Sequence, residues 1–181
     1  MLKKLFAFII SVLACCTLAK AQDLPIDSKT EKVTFIEVID ATGLDGSELF
    51  TTLKNWGLSK GFKVKSENAS EGEIVFDANL PVEYSRVKGK IEQSNVACTF
   101  SLFAKDNRFR YVISNFVHVD SNPTLSGGKL ELPSPACGPS MSLFNWNLIK
   151  TKTKSSVETL VIDLKKTIKQ VQNDPARDKD W

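Results

Sequence analysis

The stretch Glu73-Ile74-Val75-Phe76-Asp77-Ala78-Asn79-Leu80-Pro81-Val82-Glu83-Tyr84 decides the fold. Ile74, Phe76, Ala78, Leu80, Val82 and Tyr84 take every second position, so on an extended chain they share one face. Val75, Asp77, Asn79 and Glu83 take the other. A strand with one apolar and one mixed face belongs to an antiparallel sheet covered on one side only. Pro81 has no N–H to donate, which places the later part of the strand at an edge or a bulge.

The same logic runs outward in both directions. Val87, Gly89 and Ile91 alternate with Lys88 and Lys90. Beyond a break at Ser94-Asn95, the residues Val96, Cys98, Phe100, Leu102 and Ala104 form an inward set. Lys105-Asp106-Asn107 supplies a tight turn, because Asp and Asn tolerate its backbone. Arg108 to Val119 is the last strand, with Phe109, Tyr111 and Ile113 inward and Arg108 and Arg110 outward. Phe103, Val112 and Phe116 are read into the outward set. Upstream, Lys32 to Ala41 is rich in β-branched residues and reads as the first strand. Asp45 stands three residues before Glu48 in a capping-box arrangement, and Leu49, Phe50, Leu53 and Trp56 follow at helical spacing for about three turns. Gly57 and Gly61 are read as stops. Phe62 to Lys65 is a brief strand before the polar break Ser66 to Gly72.

Downstream, Asn122 to Ser140 holds four prolines and three glycines and reads as a long loop. Such a length without structure points to a pinned or functional segment. Trp146, Ile149, Thr153, Val157, Leu160, Val161, Leu164, Ile168 and Val171 then recur at threes and fours, with Lys150, Lys154, Lys165 and Lys169 on the outer face. The order β-α-β-β-β-(β)-α predicts an α+β two-layer sandwich: an antiparallel meander sheet with two helices on one face. The domain spans 32–172, after a leader at 22–31 and before a tail at 173–181 expected to be mobile.

The first twenty-one residues read as an address. Lys3 and Lys4 precede a fourteen-residue apolar and small run, Leu5 to Leu18, and Ala19-Lys20-Ala21 offers a signal-peptidase site. The run is shorter than the roughly 20 residues a spanning helix needs, so no transmembrane anchor is expected. Cleavage between Ala21 and Gln22 releases the chain to the periplasm or the exterior. The alternative is the lipoprotein box Val12-Leu13-Ala14-Cys15, with Cys15 acylated as a lipid anchor. Of the 24 basic residues, Lys3, Lys4 and Lys20 leave with the signal, and the remaining 21 equal the 21 acidic ones. A neutral exported domain lacks the electrostatic footprint of a nucleic-acid binder. In an oxidising compartment the two remaining cysteines, Cys98 and Cys137, are expected to form a disulfide.

The chain resembles a family of small exported Bacteroidetes proteins of unknown function with a fold like that of the TATA-binding protein. The resemblance spans Lys32 to Val171. It rests on Lys32-Val33-Thr34-Phe35, on the helix from Glu48-Leu49-Phe50 to Trp56, and on Lys105-Asp106-Asn107-Arg108-Phe109-Arg110-Tyr111. That last stretch is similar to the family's turn-and-strand KDGRYRY, with Asn107 in place of Gly and Phe109 in place of Tyr. Pro135-Ala136-Cys137-Gly138 before a Trp-containing helix start also fits. The resemblance implies an architecture and brings no catalytic residues with it, because fold does not imply function.

The chemistry in the sequence is sparse. His118 is the only histidine, and no nucleophile elbow accompanies it. His118-x-Asp120 has no further histidine or cysteine cluster to make a zinc site, so neither a metal nor a cofactor is expected. Ser126-Gly127-Gly128 lacks the strand-to-helix setting of a phosphate loop. The outward cations Lys88, Lys90, Arg108 and Arg110, with Phe103, form the candidate face for a small ligand or an envelope protein. Ion pairing with Asp77, Glu83 and Glu92 on that face is the competing explanation of the charges. The expected function is a non-catalytic binding or assembly module of the bacterial cell envelope. The alternative is a small periplasmic hydrolase drawing an acid/base pair from Asp77, Glu83, Glu92, Asp120 and His118.

Overall fold

The computed structural model describes residues 24–85 and 91–174. Cys15, the Ala21–Gln22 site, Lys88, Lys90 and the tail from residue 175 lie outside the described residues. Strand β1 (Phe35–Asp40) leads to helix α1 (Gly46–Ser59), followed by β2 (Lys63–Asn68), β3 (Glu73–Ser85), β4 (Ile91–Lys105) and β5 (Arg108–Val119). A two-residue strand β6 (Gly128–Lys129) and the long helix α2 (Leu143–Gln172) complete the chain. The sheet is antiparallel, ordered β1-β5-β4-β3-β2, with β6 also pairing β5. This is the α+β sandwich the alternation predicts.

The reading of β3 holds position by position, since every alternate residue from Ile74 to Tyr84 is buried. β2 pairs β3 only as far as Asp77, so Pro81 stands where that side of β3 is free. Ser94-Asn95 is no break: β4 runs through it in continuous register with β3, Ser85 facing Ile91 and Glu73 facing Phe103.

The apolar face is roofed by both helices. Asp45 caps α1 by accepting from the Glu48 N–H at 2.8 Å, and α1 buries Leu49, Leu53 and Trp56. Gly57 is not a stop. It lies inside α1 because Phe76 occupies the space above it: a Cβ there would meet the ring Cζ at 2.4 Å. The turn that ends α1 passes instead through Gly61, at φ +76°. Ser142 caps α2, which buries Trp146, Ile149, Val157, Val161, Leu164 and Ile168 along one stripe. Asp163 of α2 accepts from the Trp56 indole at 2.8 Å and pairs with Lys60 at 2.7 Å, so one carboxylate ties the two helices together. Lys165 of α2 pairs with Glu37 of β1 at 2.7 Å, and the Tyr111 hydroxyl donates to the same carboxylate.

The β4–β5 turn anchors the connection between β1 and α1. Asn107 adopts φ +63°, a left-handed conformation that Gly enters freely and Asn tolerates. Its side chain accepts from the Gly43 N–H, and Asp106 accepts from the Gly46 N–H, each at 2.8 Å.

β5 departs from the expected alternation halfway along. Asn115 takes φ +58°, and the pairing with β4 slips between Ala97 and Thr99. This β-bulge inserts an extra residue, so every side chain beyond it changes face. Arg108 and Arg110 point outward as read, but Phe116 does not: it is fully buried under the helices, together with His118.

The 122–140 segment is better organised than its prolines and glycines imply. It contains one-turn 3-10 segments at Pro123–Leu125 and Gly138–Ser140, β6, and the buried Leu130. The expected Cys98–Cys137 bridge is not formed; both are free thiols. Cys98 is buried at mid-β4 opposite Ala78, and burial pushes its thiol up to about 12, a pKa that leaves it unreactive. The segment is held by hydrogen bonds instead. Gly127 N–H donates to His118 Nδ1 at 2.9 Å, Ala136 N–H to Gly127 O, and both the Trp146 indole and the Lys150 ammonium to Leu132 O.

Candidate functional site

The helix-free side of the sheet carries the candidate face. β4 and β5 are joined by a turn of two residues, which fixes their register: Lys105 lies opposite Arg108 and Phe103 opposite Arg110. Glu73 of β3 and Val38 of β1 flank that second pair, so one row across the sheet reads Glu73, Phe103, Arg110, Val38. These residues, with Lys105 and Arg108, line an open hollow of about 400 Å³.

The Arg110 guanidinium lies over the Phe103 ring, 4.4 Å from its centroid. Cation–π contact of this kind holds the planar group flat and leaves its edge N–H donors directed away from the ring. Asp77 pairs with Lys65 rather than with an arginine, at 3.4 Å, and Glu83 accepts from Gln93 at 3.4 Å. Among the described residues, no carboxylate lies within ion-pairing distance of Arg108 or Arg110. Ion pairing on a solvated face therefore does not account for these two cations.

Lys88 and Lys90 lie outside the described residues, so of the four candidate cations Arg108 and Arg110 are the ones placed. Arg108, Arg110 and Phe103 come together, and Lys105 is the neighbour that the sequence reading assigned only to the turn.

The other polar cluster is buried. His118 Nε2 lies 2.8 Å from Ser94 Oγ, and its ring meets Tyr84 and Trp146 edge-on. Because Gly127 N–H donates to Nδ1, that nitrogen carries the lone pair. The ring proton is therefore on Nε2 and points at Ser94. A histidine that activates a serine needs its lone pair toward the hydroxyl; here the roles are reversed. Burial holds the His118 pKa below the ordinary value, with the charge of Asp120 opposing it. Asp120 is also mostly buried. Burial alone would raise its pKa, but the Asn122 N–H, the Tyr84 hydroxyl and further partners hold it below the carboxylate range. Among the described residues no buried side-chain polar atom lacks a partner, and no group of three His, Cys, Asp or Glu is placed to hold a metal ion.

Residues 35–119, from the first residue of β1 to the last of β5, match the family model described as a domain of unknown function (DUF4468) with TBP-like fold. A TBP-like protein from Parabacteroides distasonis ATCC 8503, solved by crystallography, is similar at 17% identity and a TM-score of 0.62, over 81% of this chain and 97% of that one. A DUF4468 family protein from Bacteroides ovatus ATCC 8483 is similar at 13% identity and a TM-score of 0.57, over 87% of this chain and 94% of that one. Likeness at these identities shows the fold alone. No curated protein matches the sequence.

Proposed function

We propose that this protein is a non-catalytic binding or assembly module of the bacterial cell envelope, working through the open face of its sheet. The observation that carries the reading is the hollow around Phe103, where Arg108 and Arg110 have no carboxylate partner among the described residues. Cations that outnumber the carboxylates around the hollow, Glu71 and Glu73, and are not ion-paired with them suit, beside an aromatic surface, a partner that brings both an anionic group and apolar area. The hydrolase alternative has less support: of its acid/base candidates, His118 is buried and accepts from the Gly127 N–H, Asp120 is held by the Tyr84 hydroxyl and the Asn122 N–H, and Asp77 pairs with Lys65. Export follows the N-terminal pattern, with cleavage after Ala21 as the main route and acylation at Cys15 as the alternative. No helix among the described residues is long and apolar enough to cross a membrane.

The test starts with the protein isolated from its own envelope, whose intact mass is expected to correspond to a chain beginning at Gln22. An acylated chain beginning at Cys15 establishes the lipoprotein route instead. On whichever form is found, Arg108→Glu and Arg110→Glu are expected to change stability by about 0.5 kcal/mol or less and to abolish recovery of the envelope partner. Unfolding of these variants, or unchanged recovery, overturns the reading. So does turnover of a small substrate that His118→Ala removes.

A further inference from the structure

The two edges of the sheet are finished differently. β2, at one edge, has all six residues exposed, carries Lys63, Lys65 and Glu67, and breaks register between Val64 and Ser66. Charges, lysines above all, and irregular pairing are how a sheet edge is kept from accepting another strand. β1, at the other edge, reads Phe-Ile-Glu-Val-Ile-Asp, with no lysine and no irregularity in its pairing with β5. Ile36 and Val38 are each 58% exposed. Its one central charge, Glu37, is turned to the helix side and neutralised by Lys165.

The backbone of β1 is equally unguarded. Consecutive N–H groups of a strand point to opposite sides. Ala41 N–H reaches Asn107 O on the β5 side, whereas Thr34 N–H reaches Pro25 O on the other. By this alternation Ile36, Val38 and Asp40 direct their N–H and C=O groups to the free edge, where no hydrogen bond from the described residues meets them. The upstream end of the same edge already takes a strand-like partner: Ile26 bridges Val33 in antiparallel fashion. The edge geometry thus accepts pairing, and among the described residues, which begin at Leu24, no strand partner extends along the edge to Val38 and Asp40.

Resting on the open-face reading above, we propose that the free edge of β1 is the docking rail of that site, and that its occupant is an extended, acidic segment of a partner protein added as a further strand. Strand addition supplies affinity through main-chain hydrogen bonds and specificity through alternate side chains. Val38 belongs to both features: it offers its N–H to the added strand and lines the hollow beside Arg110. The added strand lies two strand spacings from β5, roughly 10 Å. A glutamate on its open face therefore reaches across Val38 toward the Arg110 and Arg108 guanidiniums. Lys105, Arg108 and Arg110 outnumber Glu71 and Glu73 around the hollow, and neither arginine is ion-paired among the described residues. Charge complementarity therefore selects an acidic segment whose glutamate is set beside Val38 rather than beside Asp40, which faces Arg108.

The experiment uses the chain from Gln22 and a synthetic peptide alternating glutamate with valine and threonine, against the same peptide with lysine for glutamate. The acidic peptide is expected to bind and to shift and protect the amides of Ile36, Val38 and Asp40 in NMR spectra. Val38→Pro removes one edge donor without touching the β5 ladder, and Val38→Lys guards the edge as β2 is guarded; each is expected to weaken binding about tenfold or more, as is Arg110→Glu. If Arg110→Glu abolishes binding while both Val38 variants bind normally, the edge proposal is overturned and the open-face reading stands. Equal binding of the lysine peptide, or no binding of either peptide, also overturns it. A dimer of the unliganded chain that Val38→Lys dissociates overturns it too, by making a second copy the occupant.

Discussion

The two halves of β5, divided at Asn115, obey opposite rules. Before it, Phe109, Tyr111 and Ile113 are buried and Arg108 and Arg110 are exposed, as an uninterrupted two-residue period requires. After it, Phe116 and His118 are buried and Val119 is exposed. One residue at φ +58° separates a half that presents cations to solvent from a half that stores a histidine beneath the helices. Residue type alone does not set which face a side chain takes in a strand; it depends on whether the count of residues stays even.

Truncating one aromatic on each face of the sheet, Phe116 beyond the bulge of β5 and Phe103 of β4 beside its first half, gives the largest contrast. Phe116→Ala is expected to cost about 3–5 kcal/mol, the penalty of an emptied core site. Phe103→Ala, half-buried on the open face beneath Arg110, is expected to cost about 1 kcal/mol or less. Denaturant unfolding of the two variants measures both, and equal costs contradict the assignment of faces. The bulge is the next target. Asn115→Val places a β-branched residue at positive φ and is expected to destabilise by about 1–3 kcal/mol, while Asn115→Gly is expected to be close to neutral. If valine is accepted there without loss, the left-handed conformation is not what turns the strand.

The smallest effect is graded by pH. Native His118 resists protonation because it is buried, while in the unfolded chain it titrates near the ordinary 6.5. Below that value the unfolded state therefore binds more protons than the native state, so stability is full above about pH 6.5 and falls as pH drops. The slope reaches at most about 1.4 kcal/mol per pH unit and levels off once the native ring also titrates. His118→Gln is expected to flatten the unfolding free energy between about pH 5 and 7. An unchanged slope assigns it to other groups. The carboxylates held low in the native state, Glu37, Asp120 and Asp163, lose their contribution in a more acidic window.

Much of this was legible in the chain because alternation is a local property. The inward set of β3, the Asp45 cap, the Asp106-Asn107 turn and the stripe of α2 each follow from residues within one element. What escaped was non-local. Gly57 reads as punctuation until Phe76 of another element is placed above it. Ser94 reads as a break because its burial depends on a hydrogen bond from His118, and His118 is inside only because of Asn115. The prolines and glycines of 122–140 conceal a segment secured by partners on β5 and α2. The arginines were visible as outward residues, but that neither is ion-paired among the described residues required the register that sends Asp77 to Lys65.

Leu24, the first described residue, is buried. A chain starting at Gln22 has two residues before it. In the lipoprotein form, eight residues separate Cys15 from Leu24, a leash of at most roughly 30 Å at full extension. That is shorter than the body it holds, whose diameter is roughly 40 Å for about 150 compact residues. Leu24 lies beside the start of β1, so in that form this side of the molecule would stand nearer the bilayer than the opposite edge, β2.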